Sequence, residues 1–383
     1  ELNEGLSIVR MKIVKIASLL IVVLTGLAYL YISFQPSMRF ADPSPNARLD
    51  YVRNYACYHD RIYLGTSNMD ALFLGSSPTF RALDTDLAEQ AYNRVHGERP
   101  DFFAFGTGWG NPALNYFYFR DYLANNPAPK VALIEVTPIA RMGSKPRYVH
   151  PRTPDLAPTY IYFDVLDSWS FVRHKVFAIS DFLHLLIRHI DLSLGKLLIA
   201  DYKFSVPEGD NCATENASDY WDDFKVAADI SFEQMLASEV DKVTPDIPSN
   251  TVGTLDGLLK EYKEDDSMLE LLKKPWIQKV PLWTTHEGRE RNLDYYRRIV
   301  ALGAKHSVKG AFYIIPSVLR PEPAENQVRQ LEEELGAPLF LLPAEYAKVS
   351  YHHYADRAHV TPDFRPAYAV WVASLFDNLV KRG

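Results

Sequence analysis

Cysteine is nearly missing from this chain: 383 residues carry two, Cys57 and Cys212. Neither stands in a C-x-x-C pair or has a histidine partner, which argues against thiolate metal sites and dithiol redox chemistry. In an oxidising compartment the two could pair across the middle of the chain, or each could stay a buried free thiol; spacing favours neither. Positive charge is also short. The 41 Lys and Arg against 48 Asp and Glu give a formal net charge of -7. That is the wrong sign for a broad nucleic-acid surface, which needs clustered cations to displace phosphate counterions. Internal repeats and low-complexity tracts are absent too. What is present is core material. Hydrophobic residues reach 47% and charged residues 23%, a balance inconsistent with global disorder. The length admits two average domains, or one α/β domain with a large insertion. Aromatics are plentiful at 13%; a sugar cleft uses aromatic faces, but a thick core does so more often.

One stretch lacks charge altogether. Ile16 to Phe34 (IASLLIVVLTGLAYLYISF) is close to the ~20 residues a helix needs to cross a bilayer. Arg10, Lys12 and Lys15 precede it, so the positive-inside bias holds residues 1–15 in the cytoplasm and exports the chain beyond Phe34. A cleaved signal peptide is the rival reading. Its apolar region is usually shorter, and Arg39-Phe40-Ala41 is no small-x-small cleavage site. A single uncleaved transmembrane anchor over 16–34 is the expectation, with Tyr29 and Tyr31 at its aromatic edge. Residues 35–49, rich in Pro, Ser and Asn, read as a linker.

From residue 50 onward the pattern predicts a helix over 50–62, then strand, turn and helix repeating. Asp70 to Leu74 (DALFL) runs into Gly75-Ser76-Ser77-Pro78, and Leu83 to Tyr92 has helical spacing. Asp101 to Phe105 enters the turn Gly106-Thr107-Gly108-Trp109-Gly110-Asn111-Pro112, followed by a helix over 113–125. Val131 to Val136 (VALIEV) is a third buried strand. This rhythm predicts an open, doubly wound parallel sheet. It fails from about 141 to 285, which reads as a mostly helical insertion with helices over 182–198, 232–240 and 255–272. The rhythm returns with a helix over 289–305, a strand over 311–315, a helix over 324–335, a strand over 339–342 and a last helix over 361–381. Thr361 before Pro362 reads as the N-cap of that helix.

Two places in this frame carry chemistry. Ser77 lies where a buried strand turns into a helix, which lifts a hydroxyl to the carboxyl edge of the sheet. A serine alcohol is a weak nucleophile until a base takes its proton. Asp356-Arg-Ala-His359, just before the last helix, offers an imidazole with a carboxylate to orient it. Taken singly, the first is also compatible with a plain turn and the second with a capping histidine.

Taken together, the order of blocks resembles the SGNH (GDSL-like) hydrolase superfamily over about 65–140 and 290–380. The resemblance is nearest to membrane-anchored, exported members that work beside a membrane-bound O-acyltransferase, such as alginate O-acetylation proteins and the teichoic acid D-alanine transfer protein. FLGSSPTF and FGTGWGNPALNYFYFRDYL look like their first two blocks, and YADRAHVTPDFRPAY like their last. The resemblance implies a three-layer α/β/α domain over 50–383 with a parallel sheet. It implies Ser77 as nucleophile, His359 as general base and Asp356 as its orienting partner. The oxyanion donors would be the Ser77 amide with Gly108 or Gly110. In the third block the family usually supplies an Asn, whereas this chain has Glu135-Val136-Thr137-Pro138; Asn111 would be the substitute.

By resemblance, the activity is O-acyl transfer, with acetyl as the default group. The site would lie on the periplasmic or extracellular side of a bacterial cytoplasmic membrane, with a membrane-bound O-acyltransferase as donor and an exported polysaccharide as acceptor. No cofactor is needed. The same triad would serve an exported ester hydrolase, and a non-catalytic scaffold for a membrane acyltransferase is a further reading. His352, His353, Asp356 and His359 also suggest a metal site, although adjacent histidines usually point apart; no metal is the expectation adopted. Arg81 and Arg120 are weak candidates for an anionic substrate, and Asn216-Ala-Ser218 is a sequon of a kind frequent by chance.

Overall fold

The computed structural model describes residues 67–107, 112–136, 230–244, 286–315, 325–350, 353 and 360–381, with shorter pieces at 15–16, 18–20, 23–24, 26–27, 57–58 and 61–62. The chain divides into two compact units, Glu1–His59 with Pro146–Asn211 and Asp60–Lys145 with Cys212–Gly383. Everything from residue 61 onward in the described set belongs to the second.

Five parallel strands form one sheet in the order β2-β1-β3-β4-β5. They are β1 (Ala71–Ser76), β2 (Phe102–Thr107), β3 (Val131–Glu135), β4 (Lys309–Ile314) and β5 (Leu339–Leu341). β1 and β3 are buried at every position, as strands covered on both faces must be; that is why they read as unbroken apolar runs. The fold is therefore α/β, and its strand order reverses direction between β1 and β3.

The connecting helices explain the order. α1 (Ser77–Ala82) and α2 (Thr85–His96) follow β1, α3 (Pro112–Asn125) follows β2, and α4 (Phe232–Val243) lies between β3 and β4. α5 (His286–Lys305) precedes β4, α6 (Glu325–Leu335) precedes β5, and α7 (Ala344–Ser350) follows it. A 3-10 turn, Pro362–Phe364, leads into α8 (Arg365–Lys381). α8 packs against α2 and α4 over one face of the sheet, while α5 packs against α3 and β4 over the other. On the α8 face Tyr92, Phe102 and Phe376 form an edge-to-face group with centroids 4.9–6.5 Å apart. On the α5 face Phe105 meets Tyr118, and Tyr296 meets Phe312. The abundant aromatics are thus largely core.

Local chemistry sets the ends of several elements. Asp84 accepts the Leu87 amide to start α2, and Gly97 closes it at φ 73°, a left-handed position that favours glycine. Ser231 and Gln234 make a reciprocal capping box at the start of α4. α8 is buried around most of its circumference. Its last carbonyls, Leu379 and Val380, accept from the Lys309 ammonium at 2.9 and 3.2 Å, a cation where a helix end is negative.

Differences from the sequence reading are small and have physical causes. β1 and β2 each run two residues past their expected ends, because Gly75 pairs with Gly106 and Ser76 with Thr107 despite the poor strand propensity of glycine. α1 and α7 were not expected; with six and seven residues they are too short to show a helical period. Thr361 takes the N-cap position but makes no side-chain capping bond. Its backbone carbonyl accepts the Phe364 amide instead, and Pro362 has no N–H to offer.

Some expectations fall on residues outside the described set. They include the linker 35–49, the helices at 182–198 and 255–272, and Asn216. In the expected anchor the described positions are helical and exposed, Ile16, Leu19, Leu20, Val23, Leu24 and Leu27 among them. Among the described residues no helix is long and apolar enough to cross a membrane. Cys57 is buried and disulfide-bonded; Cys212, the chain's other cysteine, lies outside the described residues.

Candidate functional site

Ser77 is the first residue of α1, directly off the carboxyl end of β1. β1 lies between β2 and β3, so Ser77 stands at the point where the sheet changes winding direction. In open α/β sheets that crevice is where ligands bind. Asp356, His359, Gly108, Gly110 and Asn111 lie outside the described residues. The segment that carries Asp356 and His359 is nevertheless bounded by described ones. Thr361 donates its amide to the His353 carbonyl at 2.7 Å, which ties the two ends of 354–360 together. The 3-10 turn beyond it packs against α1, and Arg365 Nε donates to the Arg81 carbonyl at 2.9 Å. The described residues on either side of the Asp-x-x-His segment are therefore joined to each other, and those that follow it are held against the helix that Ser77 begins.

His353 has its own structural partners. Its Nε2 bonds the Val243 carbonyl at 2.7 Å, and its ring stacks on Phe364 at 5.6 Å. A carbonyl only accepts, so Nε2 carries the proton and is not open to a metal. Among the described residues no cluster of His, Cys, Asp and Glu could hold a metal ion. Arg120 is bound to Asp121 at 2.8 Å and lies over the Phe117 ring, a packed position on α3.

Beneath Ser77 lies a buried polar group that sequence reasoning did not assemble. Glu135, fully buried, ends β3. Its Oε2 accepts the Ser76 amide at 2.7 Å and the Thr79 hydroxyl at 2.6 Å. The Ser76 hydroxyl donates to the same carboxylate, 2.9 Å from either oxygen. Thr79 Oγ1 is also 2.7 Å from the Tyr313 hydroxyl. With the threonine proton given to Glu135, Tyr313 must be the donor to Thr79. Burial, with the negative charge of Glu135 beside it, holds the Tyr313 phenol well above its ordinary range. From the opposite face the Tyr296 hydroxyl donates to the Glu135 backbone carbonyl at 3.1 Å.

This arrangement separates the two serines of the Gly-Ser-Ser block. Ser76 is buried, and its hydroxyl is committed to Glu135, so the attacking alcohol in this turn would be Ser77. It also gives the glycine a reason. A Cβ on Gly75 would lie 2.0 Å from Thr79 Oγ1 and 2.8 Å from Glu135 Oε2, closer than real contacts allow. The available signal was a carboxylate inside the apolar run VALIEV, since a buried charge must find donors. No protein-family model and no curated protein matches this chain.

Proposed function

We propose that this chain is a membrane-anchored SGNH-type O-acyltransferase. It would carry an acyl group on Ser77 and pass it to a hydroxyl of an exported polysaccharide. The observation that carries the reading is positional. Ser77 opens a helix at the reversal point of a doubly wound sheet, and residues 362–365, which follow the Asp356 and His359 positions in sequence, pack against that same helix. The disulfide at Cys57 agrees with an exported domain.

In this mechanism Ser77 Oγ attacks the carbonyl carbon of an acyl donor while His359 takes its proton. Asp356 holds the imidazole in its useful orientation and stabilises its charged form. The negative oxygen of the tetrahedral intermediate needs donors, for which Gly108, Gly110, Asn111 and the Ser77 amide are the candidates. The bond to the leaving group then breaks, and His359 returns the proton to that group. A sugar hydroxyl repeats the sequence on the Ser77 ester, giving the acylated sugar and free Ser77. The donor is read as a membrane-bound O-acyltransferase and the acyl group as acetyl.

Intact-mass analysis after incubation with p-nitrophenyl acetate tests this, with Ser77→Ala beside the wild type. One acetyl adduct, lost in Ser77→Ala and absent in His359→Ala, is the expected result. Faster decay of the adduct with an oligosaccharide than with water alone would mark a transferase. Equal decay would mark an esterase, and equal labelling of wild type and Ser77→Ala would refute the site.

A further inference from the structure

We infer that Glu135 is a positioning residue for the Ser77 turn, acting through Thr79 and the backbone of Ser76; this rests on the reading of Ser77 as nucleophile. The backbone pairing of β1 with β3 stops at Leu74 and Ile134. One residue pair further on, the ladder is replaced by a side chain. The Glu135 carboxylate takes the Ser76 amide, at the last residue of β1, and the Thr79 hydroxyl, in the first turn of α1. Ser77 lies between those two attachment points. A single buried carboxylate thus holds the strand end and the helix start that flank the nucleophile, and fixes the path of the backbone between them.

Three further features make the clamp stiff. Glu135 is held from both faces of the sheet, its carbonyl by Tyr296 and its carboxylate through Thr79 by Tyr313. Tyr313 lies beside Glu135 in the β3–β4 register, and its ring packs edge-on against Trp371 of α8 at 6.2 Å. Gly75 has no Cβ, and the Thr79 hydroxyl and the carboxylate occupy the space one would fill. The position at which the resemblance expects an oxyanion-donating Asn lies just beyond the strand. Glu135 itself accepts hydrogen bonds, so its part is support and not oxyanion binding.

A nucleophile misplaced by about 1 Å can lose on the order of 10²-fold in rate with little change in binding. The test uses the full chain in mild detergent, with p-nitrophenyl acetate as probe. It measures the acylation rate constant at saturation, the KM and the fraction folded. Glu135→Ala should lower the rate per folded molecule by roughly 10²-fold while KM stays within about twofold. Glu135→Gln keeps the shape and one acceptor oxygen, and should recover most of that rate. Thr79→Val, which removes the middle hydroxyl at nearly constant volume, should fall between wild type and Glu135→Ala. If Glu135→Ala does not fold, Thr79→Val and Glu135→Gln carry the test by their order. Wild-type rates per folded molecule in Thr79→Val and Glu135→Ala would overturn the inference and leave Glu135 a stability residue. Labelling that survives Ser77→Ala would instead remove the nucleophile on which the inference rests.

Discussion

Gly75→Ala is the smallest change that attacks the site from inside, and its cost comes from three distances. The new Cβ would meet Thr79 Oγ1 at 2.0 Å, Thr79 Cβ at 2.5 Å and Glu135 Oε2 at 2.8 Å. Rotating the hydroxyl away removes the first clash but not the second, because Thr79 Cβ is fixed to the backbone of α1. The helix must therefore back away from β1. Overpacking of this kind costs about 1–3 kcal/mol. Losing the Thr79–Glu135 bond, an interaction with a charged group, adds about 1.5–3 kcal/mol. The two are coupled and need not add fully, so about 3–5 kcal/mol is expected. That is a large part of the ~5–15 kcal/mol that holds a typical domain together.

Gly310, two strands away in β4 of the same parallel sheet, supplies the control. A Cβ there would find Val300 Cγ2 at 3.8 Å and Val300 Cα at 3.9 Å, ordinary contact with nothing to displace. Gly310→Ala should be neutral or stabilising by up to about 1 kcal/mol, through the reduced freedom of the unfolded chain. Urea denaturation of both variants in the full chain, under one detergent condition, makes the comparison. A Gly75→Ala midpoint close to that of Gly310→Ala would refute the packing argument. Because relief moves α1, Gly75→Ala should also acylate more slowly than its folded fraction accounts for.

Two further outcomes are expected. Burial pushes the Glu89 carboxyl up to about 7, against the pull of the Phe102 amide and the Arg99 guanidinium; the folded chain then binds more protons than the unfolded one between about pH 4.5 and 7. Its contribution to stability is full below that window and is lost as pH rises through it, so Glu89→Gln should flatten the fall in thermal midpoint from pH 5 to 7, and an unchanged slope would refute this. Arg365→Ala removes the bond to the Arg81 carbonyl at a cost of about 0.5–1.5 kcal/mol; acylation should slow more than that loss explains, and activity matching the folded fraction would separate the Arg365 contact from the Asp356–His359 segment.

Much of the sheet was legible because burial on both faces writes itself into the sequence as DALFL, DFFAF and VALIEV. The doubly wound parallel class came from strand–helix alternation, whereas the strand order came only with the structure. What escaped was decided by contacts distant in sequence. Nothing local to Gly75 or Ser76 extends β1 by two residues; the pairing with Gly106 and Thr107 does. α1 is held by Thr79 reaching Glu135, some 56 positions away, a relation no periodicity records. The missing cap at Thr361 has a local cause instead, since the Phe364 amide is already taken by the Thr361 carbonyl.

The site shows the same division. Ser77 could be picked out because a serine after a buried strand and a glycine is locally unusual. Glu135 was visible only as an oddity in the third block, where an Asn was expected. The structure turns that departure into a connection: the carboxylate that interrupts VALIEV satisfies the donors left where β1 ends and α1 begins. At position 135 itself a neutral Asn would be one methylene shorter and would offer one acceptor oxygen where the carboxylate uses two for the Ser76 amide, the Ser76 hydroxyl and the Thr79 hydroxyl. The glycine, the threonine and the glutamate are therefore one requirement, and a change at any of them should reach Ser77 through the backbone on either side of it.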